Sequence, residues 1–228
     1  MAGMAVMGFI IVYGSHRWVR AERRKYVAMA MAIFMFVQEV LDRSLHHYVY
    51  GDLWRNTLPL QICGMSVVLT IVLLITRKKP IFDLLYFWGI GGAGMAILTP
   101  EQLFPFPHIL NLTYFWSHAL IIIGVAFMMV NYGYRPYFKS FVHALVLTNL
   151  YIAVMIPVNI ALDTNYLYLC AKPKGATPVD FLGPWPWYIL GLELLGAGIF
   201  FILYSPYLVM DRLGSKTEIA EGSVAASE

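Results

Sequence analysis

Charge is scarce in this chain. Asp, Glu, Lys and Arg make up 13% of 228 residues, about half the usual share. With 60% apolar residues and a mean hydropathy of +0.67, the composition excludes a soluble domain. Cysteine is scarce too. Two residues, Cys63 and Cys170, rule out a disulfide-rich scaffold and a CxxC redox or zinc pattern. There is no phosphate-binding P-loop, no serine-hydrolase elbow and no HxxxH or HExxH spacing. No metal and no cofactor are therefore expected. The net charge of +3 gives no argument for nucleic acid, because the basic residues sit in short segments between apolar stretches.

Those stretches are long enough to cross a bilayer, which takes about 17–25 residues. Seven spans are expected, over 3–19, 26–49, 57–76, 81–98, 113–131, 138–160 and 186–209. The fold class is thus all-α, a polytopic seven-helix membrane bundle. One transmembrane domain covers 1–210, and 211–228 form a polar tail expected to be disordered. The first stretch has its basic cluster after the apolar part, unlike a signal peptide, and reads as a retained helix. Arg17, Arg20, Arg23, Arg24, Lys25, Arg77, Lys78, Lys79, Arg135, Lys139, Arg212 and Lys216 all fall on one side of a seven-span layout. Arg43, Arg55, Lys172 and Lys174 fall on the other. The positive-inside rule then puts the N-terminus outside and the tail in the cytoplasm. Outer segments 99–112 and 161–186 are longer and rich in Pro and aromatics. They suit either a cap over a cavity or an interfacial belt.

At about 1.5 Å per residue, Gln38, Glu39, Gln61, Cys63, His118, Asn159 and Glu193 share a layer near the outer surface. Polar groups at such depth face a bundle interior or a wet cavity, or pair as helix-packing hydrogen bonds. Thr148 and Asn149 lie nearer the midplane, and Asp83 lies at the inner end. His118, in the otherwise apolar TYFWSHALII, is a candidate general base or a satisfied structural histidine. Cys63 is a candidate nucleophile, a small buried residue, or half of a disulfide with Cys170. Glu39 and Glu193 are candidates to orient the imidazole, with Gln61, Asn159, Asn149 and Asn165 as supporting or substrate-binding groups. His46 and His47 read as interfacial, His143 as structural, and Glu101 as solvated. The run GIGGAG at 89–94 reads as close helix packing.

Taken together, LPLQIC, DLLYFWGIGGAGMAILTPE, FPH, SHALII, TNLY, TNYLYLCAKP and GPWPWYILGLE resemble the YwaF-like family of bacterial integral membrane proteins. The resemblance runs in order from about residue 57 to 207 and implies seven spans in a bacterial cell (inner) membrane. That family is distantly similar to an animal transmembrane protein implicated as a cysteine-dependent acyltransferase making ether phospholipids. The similarity implies a functional role for His118. The animal motif has Pro-Cys-His near the start of the third span, where this chain reads Pro59-Leu60-Gln61. Cys63 lies three residues beyond Leu60, on the same helix face. Bacterial relatives often carry His in place of Gln61.

Two functions fit. One is an acyltransferase or acyl hydrolase acting on phospholipid in the outer leaflet through Cys63 and His118. The other is a non-catalytic binder of lipid or a small solute, as transporter or sensor. The expected partner is membrane lipid, and the sequence leaves the oligomeric state open.

Overall fold

The computed structural model describes residues 2–100, 107–173 and 178–225. Glu101 lies outside them. Among the described residues there is helix and no strand. Seven long rods follow one another. The first, α1, covers 2–18 and contains a π turn at Ile10–Gly14. Then come α2 at Arg24–Ser44, continued by a π turn at Leu45–Val49, and α3 at Ile62–Thr76. The rest are α4 at Lys79–Leu98, α5 at Ile109–Tyr132, α6 at Phe138–Leu162 and α7 at Trp187–Ala225. Helix ends follow local chemistry. Pro80 starts α4, where a missing N–H costs nothing. Gly133, at φ +69°, ends α5 with its N–H on the Met128 and Met129 carbonyls.

Four rods are long and apolar enough to cross a membrane: α4, α5, α6 and the Trp187–Leu213 part of α7. They coincide with the last four expected spans to within a few residues. The shorter α3 is apolar over 15 residues.

Cross-contacts fix the direction of each rod. Gly124 of α5 packs on Thr70 of α3, and the Tyr134 hydroxyl just beyond α5 donates to the Arg77 carbonyl just beyond α3. Thus α3 and α5 run parallel. Asn131 of α5 reaches the Val12 carbonyl while Gly8 packs on Ile123, so α1 runs the same way. Against them, α2 is antiparallel: Arg24 meets Asn131 at one end and Gln38 meets Thr113 at the other. Antiparallel α4 sets Gly89 on Ile121 and Ala96 against Tyr114. Trp88 of α4 donates to Thr148 of α6, and Tyr86 donates to the Leu203 carbonyl of α7.

The centre of the bundle is α4 against α5, with Phe82, Leu85, Phe87, Ile121, Val125 and Phe127 buried. GIGGAG does what close packing needs. A side chain on Gly89 would meet Ile121 at 2.8 Å, and one on Gly91 would meet Ile199 of α7 at 3.2 Å. Helices α6 and α7 instead turn Ile160, Leu194 and Ile202 outward. Exposed apolar side chains at this density suit lipid, not water.

Candidate functional site

At one end of the bundle, the segment before α3 and the loop after α6 close over the helix ends. Pro59 and Leu60 lead into α3, and Gln61 is its N-cap with extended backbone (φ −67°, ψ 149°). Gln61 does not cap with its side chain. Its Oε1 accepts from the Leu167 amide at 2.9 Å. Asn159, 1% exposed, holds Tyr166 from both sides. Its Nδ2 donates to the Tyr166 carbonyl at 2.9 Å, and its Oδ1 accepts the Tyr166 amide at 2.7 Å and the Thr164 hydroxyl at 3.0 Å. Asn165 folds the next turn, accepting from the Cys170 and Ala171 amides and donating to the Ala171 carbonyl. The Tyr166 phenol donates to the Arg55 carbonyl at 2.5 Å and to Leu58 at 3.3 Å. Burial pushes that phenol above its ordinary pKa, against the opposing pull of the Leu58 hydrogen bond and the Arg43 charge.

Glu39 is taken by Arg43, whose Nε donates to Oε1 at 2.7 Å and whose Nη1 donates to the Thr57 carbonyl. The guanidinium lies over Gly64, where a side chain would come 3.1 Å from Nη2. This arrangement puts a cation beside the residue that follows Cys63. A layout that treated Arg43 as an outer basic residue missed it. The signal was present: Glu39 and Arg43 sit four apart on one helix face.

Cys63 is a half-buried free thiol, and Cys170 is an exposed free thiol, so the structure contains no bridge between them. His118 is 7% exposed. Its Nδ1 lies 2.7 Å from the Tyr114 carbonyl, and a carbonyl only accepts, so Nδ1 carries the hydrogen. In the neutral ring Nε2 is then the basic nitrogen. The Tyr114 ring packs on the imidazole at 4.2 Å between centroids.

Depth and facing can be read from the Thr70–Gly124 contact. Cys63 is seven residues before Thr70 and His118 six before Gly124, about 10.5 and 9 Å along parallel rods. The two therefore share a level. At ~100° per residue, Cys63 stays near the Thr70 line and faces α5. His118 is turned about 120° from the Gly124 line, onto the Tyr114–Ile121 face that meets α4. No hydrogen bond joins them. Ser66, one turn beyond Cys63 and fully buried, has an Oγ without a hydrogen-bond partner, as has Gln38 Oε1.

The other candidates separate. Asn149 is on the exposed side of α6 and donates to its own helix at Leu145. Glu193 is half-buried on α7 and belongs to none of the ion pairs among the described residues. Among the described residues no group of three His, Cys, Asp or Glu side chains converges to hold a metal.

The chain is 28% identical over 123 residues to an uncharacterised protein of Treponema pallidum (strain Nichols). That match covers 54% of this chain and 51% of the relative, so the chain spans about half the length of the curated relative it matches. No solved structure matches the chain. The TMEM164 family model matches residues 1–204, and the chain belongs to the TMEM164 family.

Proposed function

We propose that this chain is a seven-span lipid-handling protein of a bacterial cell membrane, of the YwaF-like branch, with its N-terminus outside and its tail in the cytoplasm. In this reading Cys63 and His118 carry acyl transfer on phospholipid at the outer leaflet. The observation that carries it is the common level of Cys63 and His118 on the parallel helices α3 and α5, next to the closed loop end. Family membership and the resemblance to an ether-phospholipid acyltransferase point to the same chemistry.

His118 Nε2 takes the thiol proton, and the thiolate attacks an ester carbonyl of the donor lipid. The carbon–oxygen bond breaks, and the leaving alkoxide takes the proton from the imidazolium. Cys63 then holds the acyl group as a thioester. A lysolipid hydroxyl, deprotonated by Nε2, displaces the thiolate and forms the new ester. With water as acceptor the same steps give hydrolysis. The backbone amides at the start of α3, beside the Arg43 guanidinium, supply donors for the oxyanion, a term worth about 3–4 kcal/mol per donor. Cys63 and His118 make no hydrogen bond and face different neighbours, so this mechanism requires α3 or α5 to turn as substrate binds, when catalytic contacts commonly tighten.

The test is acyl transfer from phospholipid to lysophospholipid by the purified protein in proteoliposomes. Cys63→Ser and His118→Ala are each expected to lower the rate by about 100-fold or more at unchanged thermal midpoint. Unchanged activity in His118→Ala would sink the catalytic reading.

A second reading rests on how the amides are used. Gln61, Asn159 and Asn165 hold the loop, Glu39 holds Arg43, and the partner of His118 is the Tyr114 carbonyl, with no carboxylate paired to it among the described residues. A non-catalytic lipid or solute binder, transporter or sensor needs no such contact. Alkylation followed by intact mass measurement separates the two. Fast labelling at Cys63 that slows in His118→Ala favours the enzyme, and equal slow labelling favours the binder.

A further inference from the structure

The other end of the bundle carries a second feature, on the outer face between α2 and α3. A groove of about 200 Å³ is lined by Lys25, Tyr26, Met29, Leu74, Ile75 and Arg77. At ~30 Å³ per water, it holds roughly six or seven waters, the size of a small polar head group. Its two cations have no acid partner. Lys25 and Arg77 belong to none of the ion pairs among the described residues. Each rests on an aromatic ring instead, Lys25 on Tyr26 at 5.2 Å and Arg77 on Tyr132 at 6.0 Å. Arg77 is fixed at the rim by its backbone. It ends α3 in the left-handed conformation (φ +54°), with its N–H on Leu73 and its carbonyl accepting from Tyr134.

The polarity of the groove is ordered along the helices. The cations sit at the ends of α2 and α3. One turn inward the walls are Met29, 41% exposed, and Ile75, 44% exposed, over a buried Leu74. Beyond them Ile33 on α2 and Val72 on α3 continue the exposed apolar lines. Two unpaired positive charges above an apolar channel match a phosphate head group above an acyl chain.

We infer that the groove binds an anionic phospholipid of the leaflet at the basic end, with the phosphate between Lys25 and Arg77 and one chain along Met29 and Ile75. The site is separate from Cys63 and His118, which lie toward the opposite end, and does not depend on their chemistry.

The test uses the full chain in detergent and native mass spectrometry, with phosphatidylglycerol and phosphatidylcholine of equal chains as competing probes. The wild-type protein is expected to retain phosphatidylglycerol preferentially. Lys25→Gln and Arg77→Asn are each expected to lower that preference about fivefold, the usual worth of one basic residue at a lipid surface. Asn tolerates the left-handed backbone that Arg77 occupies. Arg20→Gln with Arg23→Gln, which removes two basic residues of the same end outside the groove, is expected to change little. Met29→Trp, which fills the channel and keeps both cations, is expected to abolish the preference. Displacement of phosphatidylglycerol by millimolar inorganic phosphate would overturn the lipid assignment in favour of a phosphate-ion site. Equal retention of both lipids, or a preference that follows Arg20 and Arg23 instead, would overturn it as well.

Discussion

The two ends of the bundle finish the same seven rods in different ways. At the loop end, neutral side chains hold most of the backbone: Gln61 on Leu167, Asn159 on Tyr166, and Tyr166 on Arg55 and Leu58, beside the Arg43–Glu39 and Arg55–Asp163 pairs. At the basic end, charged side chains take a larger part in the joining, beside Asn131 on Val12 and Tyr134 on Arg77. Arg24 spans the carbonyls of His16 and Asn131 at the ends of α1 and α5, where the helix dipoles favour a cation. Lys79 pairs with Asp83, and Arg135 with Asp211. Neutral clamps can be buried because they leave no charge to desolvate, whereas an ion pair away from water loses much of its gain. Neutral clamps of this kind let irregular loop backbone pack against the start of α3.

The largest effect is expected from breaking the neutral end. Asn159→Ala removes three hydrogen bonds and strands the buried Tyr166 amide, while the Tyr166 carbonyl keeps only the longer bond from the Leu169 amide. At roughly 1–3 kcal/mol per stranded buried group, the loss is expected to lower the thermal midpoint more than any single change at the basic end. It should also open the loop to proteolysis after α6. A variant as stable as wild type would mean that the loop is held elsewhere.

The contact that sets the level of Cys63 against His118 comes next. A methyl on Gly124 would lie 2.5 Å from Thr70 Cγ2, so Gly124→Ala overpacks the α3–α5 interface at a cost of about 1–3 kcal/mol. Thr70→Ser removes the clashing methyl and keeps the hydroxyl on the Ser66 carbonyl at 2.7 Å. The double variant is expected to recover most of the loss in a thermal double-mutant cycle. Strict additivity would show that α3 and α5 are not in register at this point.

How far the site was legible follows from what sequence spacing measures. Counting residues gives depth, so Cys63 and His118 were readable at one level from span direction alone. Counting does not give facing, because rotation about each rod is set by neighbours whose identity the sequence withholds. Asn149, for instance, was a candidate by depth, and its side chain is on the exposed side of α6. Gln61, half-buried, and Asn159, buried, were candidates by depth, and both spend their amides on loop backbone. The Arg43–Glu39 spacing was legible, but the place of the guanidinium over α3 was not. A cation near a span end reads as a loop charge until a facing glycine, here Gly64, makes room for it. The four rods long and apolar enough to cross a membrane were legible to within a few residues of their boundaries, because a long apolar run is itself the membrane signal.

A third change probes the neutral end by pH. Burial holds the Tyr166 phenol protonated beyond its ordinary pKa near 10. In the unfolded chain the phenol ionises first, so above about pH 10 the unfolded state binds fewer protons than the folded one. The stability carried by Tyr166 is full below that pH and is lost as pH rises through the higher folded value. Tyr166→Phe is expected to cost about 1 kcal/mol near neutrality and to flatten the decline of the thermal midpoint at alkaline pH. An unchanged alkaline slope would assign that decline to other groups.

The smallest effect is expected at the basic end, where the comparison is sharpest. Arg135 and Asp211 pair with their side chains 34% and 36% exposed, and the Asp211 hydrogen bond holds the guanidinium pKa above its ordinary value. Exposed pairs are typically worth under about 1 kcal/mol, and salt of about 1 M shortens the screening length to roughly 3 Å. Asp211→Asn should therefore lower the thermal midpoint slightly at low salt and leave it unchanged at high salt. Asn159→Ala should cost the same at both, because its partners are neutral and buried. If Asp211→Asn proved as costly as Asn159→Ala and equally indifferent to salt, the basic end would be a buried lock, and the contrast between clamp and ion pair would fail.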